Sequence, residues 1–279
     1  MILNRLVVLT AVTILSLCIR VAGGGPDHSL SSRPDAHDCC IQAESFPLKD
    51  RDLRVIQADG GVVFTAGMTI DADGAPNAYG PHNSGLDYTA NARGSHGWVA
   101  VVTNQNGRPV TQKSGPYRGY YVSTTSLRQG DIDNLQDPRK YIDATKVPYI
   151  ALPSEFATRF NVNLGDLAVV TNQANGRSAY AVFADLGPRG RIGEGSIALA
   201  KRLGIACNPR HDSVADGVTY LIFPQSGRHA ASHISASNIR SSAARLYHGW
   251  GGPRRLRALG LAPSTAYSVP PASSGAVEY

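Results

Sequence analysis

The sequence contains few cysteines and lacks the cysteine spacing that marks a zinc site. Four of its 279 residues are cysteine, and no Cys-x-x-Cys pair occurs among them. Structural zinc sites in proteins usually use such closely spaced cysteine pairs. We therefore expect no bound metal, and nothing else in the composition indicates a cofactor.

Long hydrophobic runs are also absent, apart from one near the N-terminus. Residues 6–19 form an apolar run that follows Arg5 and precedes the small residues at 21–24. This run is too short for an ordinary membrane span and is typical of a secretory signal peptide. We therefore predict that residues 1–24 are removed and that the mature chain is secreted, extracellular or periplasmic, with no membrane span. An uncleaved N-terminal anchor is the alternative.

The cysteine positions agree with export into an oxidising compartment. Removal of residues 1–24 would take Cys18 away and leave Cys39, Cys40 and Cys207. A bond between the two adjacent cysteines would be strained, and an odd count leaves one thiol over. We therefore predict a disulfide between Cys207 and either Cys39 or Cys40.

Net charge is scarce in the central part of the chain, although the whole chain carries +6. Residues 225–279 hold six arginines against one glutamate, and residues 1–24 hold two arginines. The part between them is therefore close to neutral, which does not favour a nucleic acid as partner but suits a cationic polymer. The basic C-terminal segment either binds an anionic surface or is simply solvated.

Short strand patterns separated by turn residues predict a mainly β fold. Asp59-Gly60 marks a hairpin within residues 53–70, and Asn175-Gly176 marks another within 166–184. Few helices are indicated, so a β-barrel is expected. The predicted organisation is a signal peptide at 1–24, a polar arm at 25–52, a catalytic domain at 53–225 with a helix at 196–203, and a basic Ser/Ala/Arg-rich extension at 226–279 with a possible helix at 236–247.

Two carboxylates frame one glycine-rich loop in the most informative segment, residues 179–205. A predicted buried strand ends at Asp185, and the loop leads to Glu194 at the start of the predicted helix. Two acids so placed can act as general base and general acid in the hydrolysis of a glycosidic bond. The alternative is that Asp185 begins a turn and that Glu194 stabilises the helix N-terminus.

Several segments, in the same order, resemble glycoside hydrolase family 75, a family of chitosanases. The matching segments are residues 67–74, 148–153, 184–188 with 193–196, and 217–224. The resemblance covers roughly residues 55–224. It implies an endo-acting enzyme that hydrolyses β-1,4 links between glucosamine units of chitosan by single displacement, with inversion and without a cofactor.

The same resemblance suggests roles for individual residues. Glu194 would be the general acid and Asp185 the general base, with carboxyl groups about 6.5–9.5 Å apart. The two roles would be exchanged if the helix N-terminus keeps Glu194 ionised. Apart from the resemblance, the charge of Asp71 and Asp73 suits the binding of glucosamine ammonium groups, with a plain Asp-Gly turn as the alternative. Tyr79 and Tyr88 are candidates for stacking on sugar rings, and ordinary exposed loop tyrosines are the alternative.

The central residues also resemble double-psi β-barrels of the rare lipoprotein A type. Residues 165–177, 185–188 and 197–204 carry this likeness, and Glu194 departs from it. The resemblance implies a six-stranded double-psi β-barrel with one or two short helices. It also supplies the rival function, a lytic transglycosylase or hydrolase that acts on peptidoglycan. In either case we expect a monomer whose partner is a polysaccharide.

Overall fold

A computed structural model describes residues 41–229 and 233–261. The predicted signal peptide, Cys39 and Cys40 lie outside the described residues. Cys207 is partly buried and packs against the hydrophobic core, and its predicted disulfide remains a prediction. In the described part of the chain, no helix combines the length and hydrophobicity that a membrane crossing requires.

The described residues form ten strands and four α-helices. The strands are β1 (Ile41–Pro47), β2 (Asp52–Ala58), β3 (Gly61–Asp71), β4 (Arg93–Gly94), β5 (Gly97–Trp98), β6 (Tyr149–Leu152), β7 (Leu167–Asn172), β8 (Ser178–Leu186), β9 (Glu194–Ser196) and β10 (Ser213–Phe223). The helices are α1 (Ser154–Arg159), α2 (Ile197–Leu203), α3 (Ala236–Trp250) and α4 (Gly252–Ala258). The predicted mainly β fold with few short helices is confirmed.

Six of the strands close into a barrel in the order β3-β10-β7-β8-β6-β9, because β9 pairs back onto β3. The pairs β3–β9 and β6–β8 are parallel, and the other four contacts around the ring are antiparallel. The predicted six-stranded barrel is therefore confirmed, whereas its double-psi character remains a prediction. A hairpin of β1 and β2 extends the sheet from β3. Strand β1 lies within the segment predicted to be a polar arm.

Local sequence signals explain where several elements begin and end. Asp59 and Gly60 both have positive φ angles, 48° and 77°, as the tight turn between β2 and β3 requires. Ser196 caps α2 by accepting a hydrogen bond from the backbone N–H of Leu199 at 3.1 Å. Gly204 ends that helix in the left-handed conformation, with φ 67°. Both the hairpin and the helix agree with the sequence prediction.

The hydrophobic core has two layers. The larger layer fills the barrel and includes Phe64, Tyr149 and Phe183, each at most 1% exposed. The smaller one lies between the outer face of the sheet and helices α3 and α4. In that second layer the indole N–H of Trp250 donates to the carbonyl of Ala58 at 2.8 Å. The segment predicted as a C-terminal extension therefore begins with two helices that pack on the barrel.

A long irregular segment, residues 72–148, connects β3 to β6. Sequence patterns predict strands at 98–103 and 119–126. In the structure these two stretches pair with each other and with their neighbours mostly through isolated bridges, such as Val101–Ser123. The backbone N–H of Leu127 donates to the carbonyl of Ala184 at 2.8 Å. This bond fixes the segment beside the end of β8, where Asp185 lies.

Candidate active site

Asp185 and Glu194 lie on opposite sides of the same residue, Ala151. In the strand register Ala151 of β6 is paired with Asp185 of β8 and with Glu194 of β9. Paired residues on adjacent strands point to the same face of a sheet. Neighbouring strands are about 4.8 Å apart, so the two acidic residues have Cα atoms about 9–10 Å apart. The small Ala151 side chain leaves the space between the two carboxylates open.

Asp185 is held by three hydrogen bonds that converge on one oxygen. Oδ1 accepts from the Ser126 hydroxyl at 2.7 Å, the Ser126 N–H at 3.0 Å and the Leu186 N–H at 2.8 Å. Among the described residues no group donates to Oδ2. Burial raises the pKa of the Asp185 carboxyl, and the bonds from Ser126 and Leu186 oppose that rise. Asp185 therefore has one anchored oxygen and one that can accept a proton from water.

Glu194 has a different environment. Burial, followed by the charge of Asp185, raises the pKa of Glu194 to about 7, and Arg191 partly opposes this rise. Glu194 is the first residue of β9 rather than the start of the helix, because the helix cap is Ser196. The helix begins where the sequence predicted it, and Glu194 lies two residues before its cap. Burial instead favours the neutral carboxylic acid.

Glycines in the loop between β8 and β9 make room for Glu194. A Cβ atom on Gly187 would lie 3.0 Å from Oε2 of Glu194. Gly193 has φ 91°, and a Cβ atom there would lie 2.3 Å from the carbonyl oxygen of Gly67. The carbonyl of Gly193 accepts from the Thr69 N–H at 2.8 Å and so fixes the loop on β3. The loop can approach β3 and Glu194 because these positions lack side chains.

Asp71 and Asp73 lie where β3 ends and face the same site. Oδ1 of Asp71 accepts from the Asp73 N–H at 2.8 Å, and Oδ1 of Asp73 accepts from the Tyr79 hydroxyl at 2.6 Å. The Tyr149 hydroxyl donates to the Asp73 carbonyl at 3.0 Å. Burial raises the pKa of both carboxyls well above the usual range, and neighbouring carboxylates raise it further.

The structure places Tyr79 next to the predicted substrate-binding acids. Tyr79 as a whole is only 2% exposed, so little of it is available for the predicted stacking on a sugar. Its hydroxyl instead holds Asp73 in place. Tyr79 thus belongs to the site through its hydrogen bond.

Three carboxylates form a compact acidic cluster. Asp71, Asp73 and Asp185 each contribute an oxygen, and these oxygens all lie within 4.8 Å of one another. Carboxylates this close and this buried cannot all be ionised without a compensating positive charge. Shared protons, a cation, or an ammonium group of a substrate could provide that charge.

The acidic residues lie along a cleft that extends to both sides of Asp73. One half, about 560 Å³, is lined by Asp71, Asp73 and Glu194 together with charged loop residues. The other half, about 490 Å³, is lined by Asp73 and Asp185 together with residues of the 72–148 segment. Asp73 borders both cavities, so the carboxylates lie where the two halves meet.

Sequence reasoning missed the residues that support the acids. Ser126 anchors Asp185, Tyr149 contacts Asp73, and the buried Asp87 adds negative charge near Glu194. Each lies far in sequence from the acid that it contacts, and no local spacing pattern links them. Only the folded 72–148 segment brings Ser126 and Asp87 to the site.

Comparison with known proteins gives one match. A family model described as fungal chitosanase of glycosyl hydrolase group 75 matches residues 68–248, about two thirds of the chain. The matched range includes Asp71, Asp73, Tyr79, Asp185 and Glu194. No curated protein matches the chain.

Proposed function

Because the chain belongs to the fungal chitosanase family of glycosyl hydrolase group 75, we propose that it hydrolyses β-1,4 links between glucosamine units within chitosan. Membership of this family makes it a glycoside hydrolase. One observation carries the proposed mechanism: Asp185 and Glu194 flank Ala151 on adjacent strands. This places the two acids one strand apart from each other, and we infer an inverting mechanism, in which a water molecule fits between one carboxylate and the sugar.

Glu194 is the general acid in this mechanism. With a pKa of about 7, it keeps its proton in mildly acidic solution, where the amines of chitosan are charged. It donates that proton to the glycosidic oxygen as the bond from the anomeric carbon to this oxygen breaks. The leaving sugar thus departs as a neutral alcohol.

Asp185 is the general base. Its anchored Oδ1 fixes the carboxylate, and Oδ2 accepts a proton from a water molecule that attacks the anomeric carbon. The water oxygen forms the new bond on the face opposite the leaving oxygen, so the configuration inverts. Both carboxyls return to their starting protonation states when Asp185 releases its proton and Glu194 regains one.

Asp71 and Asp73 bind substrate ammonium groups in this proposal. Burial and the neighbouring carboxylates raise the pKa of both groups, and an ammonium group in the cleft would stabilise their ionised forms. Cavities on two sides of Asp73 offer room for sugar units on both sides of the cleaved bond, as endo-hydrolysis requires. Secretion through residues 1–24 and a monomeric state are parts of the same proposal.

The test is the release of reducing ends from fully deacetylated chitosan by the purified mature chain. We expect Asp185→Asn and Glu194→Gln each to lose at least about 100-fold in kcat, while Asp216→Asn, an exposed carboxylate on β10, keeps the wild-type rate. Proton NMR of the first products should show the α-anomer. Activity in the double variant, or anhydro-sugar release from peptidoglycan without chitosan hydrolysis, would contradict the proposal.

A further inference from the structure

Helices α3 and α4 carry positive charge that no carboxylate on the same helices balances. Together they contain five arginines and no aspartate or glutamate. Arg255 pairs with Asp59. The other four arginines are exposed and form no ion pair within the described part of the chain: Arg240, Arg245, Arg254 and Arg257. We call these four residues the basic surface, and grouped charges of one sign attract partners of the opposite sign.

Positive charge continues from the basic surface onto α2. Arg202 lies in the last turn of α2 and is partly buried, and it also has no acidic partner among the described residues. Burial lowers the pKa of its guanidinium, and the positive charge of Arg240 lowers it further. The two arginines therefore repel each other across the surface of β8, on which both helices pack. A bound anion would relieve this repulsion.

The basic surface is separate from the active site. Among the residues that line the two halves of the cleft, none belongs to α3 or α4. These helices instead cover the outer face of the sheet through Tyr247, Trp250 and Leu256. The cleft contains the acidic groups and the helices the basic ones, so a cationic and an anionic polymer can occupy the molecule at the same time.

The spread of the arginines fits an extended polymer better than a small anion or a membrane. Arg240 and Arg245 are about 7–8 Å apart along the axis of α3, and the other two arginines follow on α4. Leu246 is the only large hydrophobic side chain exposed on these two helices. Helices that lie on a membrane usually present a broad apolar face to the lipid, which α3 and α4 lack.

We propose that the basic surface binds an acidic polysaccharide, a polymer whose sugar units carry carboxylate groups. The planar guanidinium of arginine pairs with a carboxylate through two parallel hydrogen bonds. Charged chitosan requires anions that balance its ammonium groups, and an acidic polysaccharide in that role would hold the enzyme beside its substrate. This binding goes beyond the proposed hydrolysis and does not depend on it.

The test is binding of the purified mature chain to polygalacturonate, measured by biolayer interferometry with uncharged dextran as the reference polymer. We expect binding to polygalacturonate that weakens as salt is added, and no binding to dextran. The double variant Arg240→Gln with Arg245→Gln should weaken binding about tenfold. The matched control is Arg108→Gln with Arg118→Gln, which removes the same charge from exposed positions outside both helices and the cleft and should bind like the wild type.

The outcomes separate a defined surface from general charge attraction. Unchanged binding in the α3 variant, or an equal loss in the variant and its control, would overturn the inference. Binding to phosphatidylserine vesicles without binding to polygalacturonate would overturn it in favour of a membrane. Because no chitosan is present in this assay, failure to hydrolyse chitosan would overturn the proposed function alone. Both double variants should hydrolyse soluble chitosan at the wild-type rate, since none of the four substituted residues lines the cleft.

Discussion

Ser126 determines how readily Asp185 stays ionised. Its hydroxyl donates the shortest of the three bonds to Oδ1, at 2.7 Å, and hydrogen bonds to a carboxylate lower its pKa. Ser126→Ala removes this bond and should raise the Asp185 pKa further, because the hydroxyl stabilises the ionised form. The base would then be protonated at higher pH. We expect the acid limb of the kcat/KM profile on chitosan to move to higher pH.

Ser126→Thr distinguishes this role from a purely structural one. Threonine keeps a hydroxyl at the same position and should restore most of the wild-type profile. An Ala variant that lowers the rate equally at all pH values would show that Ser126 does not act through the ionisation of Asp185.

Glu194 should lower the stability of the folded chain in neutral solution. Its folded pKa is about 7 against an ordinary value of 4.5, so the folded state binds its proton more tightly than the unfolded state. Relative to the ionised carboxylate, the bound proton stabilises the folded state. This stabilisation is complete below pH 4.5 and is lost as pH rises through 7. Glu194→Gln does not ionise, so it should unfold like the wild type near pH 4 and be more stable at pH 8. The difference is on the order of 3 kcal/mol at most.

Urea unfolding at pH 4 and pH 8 measures this difference. Asp216→Asn provides the control, since its exposed carboxylate should leave the pH dependence unchanged. A Gln variant less stable than the wild type at pH 8 would contradict the argument.

Local signals in the sequence were sufficient to predict some elements. The Asp59-Gly60 turn and the helix from Ser196 to Gly204 depend on the conformations and hydrogen bonds of adjacent residues, and both were predicted correctly. Asp185 and Glu194 lie at the two ends of one loop, and the family resemblance identified the pair. The sequence did not indicate that β6 inserts between β8 and β9, because pairing of distant strands follows from the closed barrel. The role of Ala151 between the two acids therefore became visible only in the structure.

In the 72–148 segment, by contrast, local signals did not predict the strand pairing correctly. The residues of the predicted strands favour extended backbone, as expected. The extended stretches nevertheless pair only at single bridges, such as Thr111–Tyr121, and do not form continuous strand pairs. A residue's strand preference does not determine whether a partner strand runs beside it. The segment instead serves to bring Ser126, Val99 and Leu135 to the cleft.

At the scale of the whole molecule, the C-terminal helices complete the outer layer of the core. Trp250 is 8% exposed and contacts β2 through Ala58, and Arg255 of α4 forms an ion pair with Asp59 at 2.5 Å. The sequence predicted a basic extension with a helix at 236–247, and α3 occupies that position. It did not predict that this helix packs on the barrel, because the apolar positions of α3 are few and widely spaced. The basic residues and the packing residues thus share the same two helices.

The last prediction follows from this packing. Trp250→Ala should lower the free energy of unfolding by about 3–5 kcal/mol, because it opens a cavity under α3 and leaves the Ala58 carbonyl without its indole donor. Leu246→Ala, on the exposed side of the same helix, should cost less than about 1 kcal/mol. Chemical unfolding of both variants measures the difference, and chitosan hydrolysis of the folded Trp250 variant at low temperature should stay close to wild type, since Trp250 lines neither half of the cleft. Equal stability of the two variants would mean that α3 is a solvated appendage, and the second core layer would then not contribute to the stability of the barrel.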